Sequence, residues 1–215
     1  MRIFKIFILT LLIVFNYSCN NNSKLPNDVR WVKNSQEYQK LCKQIYKEAS
    51  EYIMSLNVKK GQVIVMDLDE TVLDNSQYQV ELHYKGDTFS MDSWARWVLR
   101  EEAELVPGAK DFLDILRKKR IQIIFISNRM DERVEATKEN MKKLGVYHKR
   151  DVYLLRKDKA DKKDIRREEV YSGTGRMESY GKKDILAFFG DAMGDFPEND
   201  TGEHYIFPNP MYGKW

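Results

Sequence analysis

Apolar residues in this chain fall into two kinds of run. Some are short and nearly continuous: VIVM at 63–66, IQIIFIS at 121–127, VYLL at 152–155, ILAFFG at 185–190 and HYIFP at 204–208. Others recur at helical spacing. In QEYQKLCKQIYKEASEYIMSL, residues Tyr38, Leu41, Cys42, Ile45, Tyr46, Ala49 and Ile53 share one helical face. The pattern predicts a helix capped by Ser35 and running to about Leu56, then a first strand after Gly61. Residues 78–105 are rich in aromatics and partly helical, with Ser90 or Asp92 opening the turn before WARWVL. Pro107 and Gly108 open a helix in AKDFLDILRKKR, Asp131 begins a charged helix that ends near Gly145, and IRREEVYS forms another. Strands that alternate with helices and are apolar on both faces predict an α/β chain with a parallel sheet flanked by helices.

The start of the chain follows another logic. In MRIFKIFILTLLIVFNYSC, Arg2 and Lys5 precede an apolar run at 6–15 broken only by Thr10, and Ser18 stands before Cys19. This is the pattern of a secretion signal over 1–18, too short for a comfortable transmembrane helix. The polar stretch that follows reads as a flexible tether over 19–34. Leader, cysteine and tether together resemble a bacterial lipoprotein with lipid on Cys19, although Asn16 and Tyr17 depart from the usual residues. The expected location is across the bacterial inner membrane, lipid-anchored at the outer membrane or periplasmic face; plain secretion is the alternative. Cys42, on the apolar face of its helix, reads as a buried core residue, and a Cys19–Cys42 disulfide is the lesser reading.

Composition narrows the classes. The chain has 215 residues, with 36 Lys and Arg against 33 Asp and Glu, and is near neutral once Arg2 and Lys5 are set aside. That length suits one domain, and that balance gives no support for binding a nucleic-acid polymer or for a polybasic membrane contact.

Chemistry enters at the ends of the strands. VIVM runs into Asp67, IIFI into Ser127 and ILAFFG into Asp191. In a parallel sheet the carboxyl ends of all strands lie on one edge, where ligands bind. A turn accounts for one aspartate, but not for three strands that end in metal- or phosphate-competent groups. A calcium loop starting at Asp67 would need Gly at its sixth position, where Val72 stands.

DLDET at 67–71, Ser127-Asn128-Arg129 and GDAMGD at 190–195, with WARW, VPGA and the terminal PNPMYGKW, resemble the haloacid dehalogenase superfamily and, within it, the class C acid phosphatases. The resemblance runs from about residue 35 to the C-terminus. It implies a Rossmann-like sheet with a small helical cap, here expected from about 35–60 and 78–105. It also implies a Mg²⁺-dependent phosphomonoesterase, an acid phosphatase that extends to 5′-nucleotidase activity. Asp67 would be nucleophile and metal ligand, forming an aspartyl-phosphate. Asp69 would be general acid and base, with its main-chain carbonyl on the metal. Asp191 would complete the protein ligands, and Asp195 would support the metal and its waters. Ser127 would hydrogen-bond the phosphoryl group, while Asn128, Trp94 and Tyr212 would contact a substrate, here expected to be a nucleoside monophosphate.

A lysine should neutralise the phosphoryl oxygens. In RKDKADKKDIRREEV, reading forward from Asp158-Lys159 points to Lys162; reading back from Arg166-Arg167 points to Lys163, the preferred of the two. Asn75 and Arg129 could contact phosphate, a surface ion pair being as good a reading of Arg129. Trp97 reads as core, Trp215 as a family-like aromatic, and none of His83, His148 and His204 is assigned to metal. The segment between Asp195 and HYIFPNP is short, which bears on specificity more than on chemistry. Rival readings are a sugar-phosphate phosphatase or phosphotransferase, and a non-catalytic surface binding protein on a phosphatase scaffold. Oligomeric state is left open, a homo-oligomer included. If Cys19 carries lipid, Cys19→Ser moves the protein from the membrane to the soluble fraction on fractionation; an unchanged distribution excludes the anchor.

Overall fold

The structure, a computed structural model, describes residues 24–198 and 202–213. The leader, Cys19 and Trp215 lie outside the described residues. In chain order the elements are α1 (Asn27–Asn34), α2 (Gln36–Ser55), β1 (Gln62–Met66), β2 (Leu73–Asp74), α3 (Ser76–Lys85), α4 (Met91–Arg100), β3 (Glu104–Leu105), α5 (Ala109–Lys118), β4 (Gln122–Met130), α6 (Val134–Lys143), β5 (Val152–Arg156), α7 (Lys163–Ser172), β6 (Asp184–Gly190) and β7 (Glu203–Ile206). Among the described residues no helix is long and apolar enough to cross a membrane.

Five strands form a parallel sheet in the order β5-β4-β1-β6-β7. Successive side chains on a strand point to opposite faces, so each strand feeds two cores. Ile64, Met66, Ile123, Phe125, Leu155 and Phe189 face one side, where α2 and α5 cover them through Tyr46, Ile53, Phe112 and Leu116. Val63, Val65, Ile124, Ile126, Leu154 and Phe188 face the other, where Val170 of α7 and Met177 pack. This two-sided burial is why the strands read as unbroken apolar runs. The first and last central strands are seen close to their expected limits, and β4 runs three residues past Ser127.

Two expectations change. The segment expected as a tether up to 34 is helical from Asn27, because Val29 and Val32 find burial against the rest of the chain. And α2 is not a cap element. Its Tyr46 ring lies 5.3 Å from Phe112 and 4.6 Å from Phe207, and its hydroxyl donates to Thr71 O at 2.6 Å, which makes α2 a layer of the core. Gly108 permits this close packing. Its φ is +94°, and a Cβ there would come within 3.2 Å of the Lys43 main chain. The small cap is therefore α3 and α4, with α1 beside α3, joined to the core by the two-residue antiparallel pair of β2 and β3. Ser90, of the two candidates, caps α4, in a reciprocal bond with Ser93.

Candidate active site

β1 delivers Asp67 to the carboxyl edge of the sheet. The Asp67 N–H donates to Phe189 O at 2.8 Å, which ties the strand end to β6. The chain then turns sharply. Leu73 N donates to Leu68 O at 2.7 Å, and Glu70 adopts a left-handed φ of 55°, uncommon for a non-glycine residue. The turn is held by the buried Glu70 carboxylate, which accepts from Asn75 N at 2.7 Å. Burial, with Asp69 and Asp191 nearby, pushes the Glu70 carboxyl well above its usual range.

Asn75 joins this turn to two other elements. Its Oδ1 accepts from Trp97 Nε1 of α4 at 2.8 Å and from Arg129 of β4 at 3.3 Å, while its Nδ2 donates to Asp69 at 3.0 Å. Asp69 is thus surrounded by donors. Arg129 reaches its Oδ1 through Nε at 2.9 Å and Nη2 at 2.8 Å, and Ser127 Oγ donates to its Oδ2 at 3.3 Å. The Arg129 guanidinium, almost fully buried, also lies 5.7 Å from the centre of the Trp94 ring, within cation–π range. Arg129 is a buried tie between cap and catalytic loop and not a surface ion pair.

β6 supplies the other carboxylates. Gly190 is followed by Asp191, and a 3₁₀ turn over Met193–Asp195 brings Asp195 back over the strand end. A Cβ on Gly190 would lie 2.2 Å from the Asp195 Cβ, so only glycine leaves room for that carboxylate. Ala192 N fixes Asp195 Oδ2 at 3.0 Å. Asn209 donates to Asp191 Oδ2 at 2.7 Å. Burial pushes the Asp191 carboxyl up to about 6, against the Asn209 bond and with Asp195 adding repulsion.

Of the two lysines left open by the sequence, Lys163 is the one whose ammonium reaches this edge. Its Nζ donates to Asp67 Oδ1 at 2.7 Å and to Asp195 Oδ1. Burial works against the ammonium, but Asp67 and Asp195 outweigh it and raise its pKa. Lys162 is exposed. The arginine pair fixes the helix that carries Lys163. Arg166, fully buried, donates to Leu154 O at 3.1 Å, to Asn128 Oδ1 at 2.8 Å and to Ser127 O, and Arg167 donates to Gly194 O at 3.0 Å.

The carboxylates of Asp67, Asp191 and Asp195 offer oxygens within 4.8 Å of one another. Burial pushes the Asp67 carboxyl well up; Lys163 opposes this and Asp195 adds to it. Three carboxylates against one ammonium leave surplus negative charge, and the donors are oxygen only. Such a set fits a hard divalent cation. The Asp69 carboxylate is outside this set, held by Arg129.

Among the expected substrate contacts, Asn128 is exposed, with its carbonyl oxygen taken by Arg166. Trp94 is half-buried, edge-on to Tyr78 at 5.2 Å. Tyr212 is exposed and makes no ring contact among the described residues. Trp97, expected as core, is buried but also donates into the Asn75 network. Asn209 was not singled out from the sequence. Its signal was its place in PNP, just past β7 on the same sheet edge as Asp191.

An acidic, oxygen-only cluster at the carboxyl edge of a parallel sheet, with a small cap beside it, is the arrangement of the HAD-fold hydrolases. The chain belongs to subfamily IIIB of the HAD superfamily, the acid phosphatases, whose sequence profile matches residues 14–215. The class C acid phosphatase from Bacillus anthracis, solved with tungstate bound, superposes with a TM-score of 0.74 at 31% identity, over 86% of this chain and 84% of that one. Vegetative storage protein 1 of Arabidopsis thaliana is 31% identical over 184 residues, 83% of this chain and 66% of its own. The stem 28 kDa glycoprotein of Glycine max is 28% identical over 181 residues, 82% of this chain and 70% of its own. The chain spans about two thirds of the length of these plant relatives.

The contact between Gly190 and Asp195 yields a prediction. Gly190→Ala displaces the Asp195 carboxylate and should lower hydrolysis of an aryl phosphate about a hundredfold while circular dichroism shows the fold retained. Turnover within about twofold of the parent protein would show that Asp195 relocates freely.

Proposed function

We propose that this chain is a Mg²⁺-dependent phosphomonoesterase that works through an aspartyl-phosphate on Asp67. The observation that supports this most is the buried Asp67 carboxylate, set between Lys163 and the Asp191–Asp195 pair at the carboxyl edge of the sheet. The relative solved with tungstate, an oxyanion like phosphate, supports the same reading. Mg²⁺, held by Asp67, Asp191 and Asp195, would offset the negative charge of the phosphate ester.

The residues divide the work as follows. One Asp67 oxygen attacks phosphorus and the ester P–O bond breaks. The leaving oxygen takes a proton from Asp69 and departs as the alcohol. Water then attacks the aspartyl-phosphate, Asp69 takes its proton, and Asp67 is released with orthophosphate. Lys163 and Ser127 hold the phosphoryl oxygens. Asp69 is clamped by Arg129, so in this scheme its carboxyl rotates out of that clamp to reach the leaving oxygen. Asp67→Asn keeps the shape and removes the nucleophile. It should abolish phosphate release and labelling by beryllium fluoride, and chelation of the parent protein should stop turnover until Mg²⁺ is returned. Substantial activity in Asp67→Asn would exclude the covalent route.

Nucleoside monophosphates are the substrates we favour. Trp94 stands on the cap beside Arg129, which supports a role for its ring against the base, and Tyr212 lies three residues past Asn209, the partner of Asp191. A stacked base contributes roughly 1–3 kcal/mol. Trp94→Ala should then raise KM for a nucleotide about tenfold more than for a small alkyl phosphate; equal losses with a lower Tm would make the ring a packing residue. A second reading, a non-catalytic role, is suggested by the storage names of the plant relatives. The retention of Asp67, Asp69, Asp191 and Asp195 together speaks against it. The leader pattern supports a lipid-anchored position on the outer membrane or the periplasmic face.

A further inference from the structure

Four of the five strands of the sheet, β1, β4, β5 and β6, are each entered from a basic pair. Lys59-Lys60 precede β1, Lys119-Arg120 precede β4, Lys149-Arg150 precede β5 and Lys182-Lys183 precede β6. In sequence these pairs are far apart and read as solvated turns. Parallel pairing places all four strand starts on one edge, opposite the catalytic edge. There the turns surround a cavity of about 660 Å³ lined by Lys59, Lys60, Lys119, Arg120, Lys149, Arg150 and Lys183. That volume is in the roughly 300–1,000 Å³ range of small-molecule sites.

Three further observations separate this pocket from an ordinary charged surface. No carboxylate lines it. None of its cations has an ion-pair partner among the described residues, whereas 15 of the 26 other described lysines and arginines are paired. Lys119 and Lys183 spend their ammoniums on main-chain carbonyls, Met54 O and Leu56 O for one and Tyr180 O for the other. The side chains of Lys59, Lys60, Arg120, Lys149 and Arg150 make no hydrogen bond among the described residues and are exposed. The field is felt nearby: burial lowers the pKa of His148, and Arg117, Arg150 and Lys149 lower it further. The whole chain carries a formal charge of only +3, so this concentration comes from placement and not from excess. Like charges gathered without a counter-charge repel one another, and a multivalent anion relieves that repulsion.

We propose that this cavity is a binding site for an anion carrying several phosphate groups, distinct from the catalytic site and on the opposite edge of the sheet. Both a soluble polyphosphate and a membrane surface of adjoining phospholipid headgroups present several phosphates together, and the test separates them. The purified full chain is titrated by calorimetry with tripolyphosphate in the absence of divalent metal, where the acidic catalytic edge disfavours anions. The parent protein is compared with Lys59→Gln/Lys60→Gln/Lys149→Gln/Arg150→Gln, four exposed changes whose Tm and aryl-phosphate turnover should match the parent. Charge-assisted bonds are strong enough that the variant should bind about tenfold or more weakly. In parallel, both proteins are sedimented with vesicles of phosphatidylglycerol in phosphatidylcholine and of phosphatidylcholine alone. Tripolyphosphate binding lost in the variant, without a difference on vesicles, assigns a soluble anion. Retention on anionic vesicles that falls in the variant and is competed by tripolyphosphate assigns a headgroup. Equal behaviour of parent and variant toward both probes, or no binding of either by the parent, overturns the proposal.

Discussion

Asp67 and Asp195 are buried and Asp191 half-buried within 4.8 Å of one another, and their mutual repulsion is what the surrounding structure must restrain. Buried charges without partners are unfavourable by several kcal/mol each. The fold answers with an ammonium from a different layer. Lys163 stands at the first turn of α7, and α7 is held over the strand ends by guanidinium bonds to main-chain oxygens of β4, β5 and the Asp195 turn. Glycine at 190 then lets Asp195 come close, and Asn209 orients Asp191. One cation balances part of the charge, and the remainder suits the site to a divalent cation.

A second, separate network serves Asp69. Arg129 grips its carboxylate, borders the Trp94 ring and shares Asn75 with Trp97. Cap and the loop after β1 therefore meet at the Arg129 guanidinium and the Asn75 amide. Asp67 and Asp69 sit two residues apart in sequence yet belong to different hydrogen-bond systems.

Much of this was legible in the sequence, for physical reasons. Strands covered on both faces leave unbroken apolar runs, and parallel pairing brings their carboxyl ends together, so Asp67, Ser127 and Asp191 could be placed on one edge before any coordinates. Lys163 is preferred over Lys162 from the arginine pair that anchors its helix. Other features left weaker traces. α1 is short and mostly polar, and its two buried valines do not outweigh its charged residues in a periodic reading. The apolar face of α2 was plain, but such a face does not say whether it will cover a sheet or form a cap. Asn209 and Arg166 act through hydrogen bonds to partners distant in sequence, and no local pattern reports those.

The two sides of the sheet are covered unequally. α2 and α5 share an extended apolar core, whereas α7 meets the opposite face chiefly through Val170 and is otherwise held by Arg166 and Arg167. A helix fastened by polar bonds rather than by apolar area can detach in a local opening well short of global unfolding. For this chain such an opening would carry Lys163 away and leave Asp67 facing Asp195 without it. Exchange of the α7 amides with deuterium, followed alongside turnover on warming, would show whether activity ends with this one helix while the rest of the sheet stays intact.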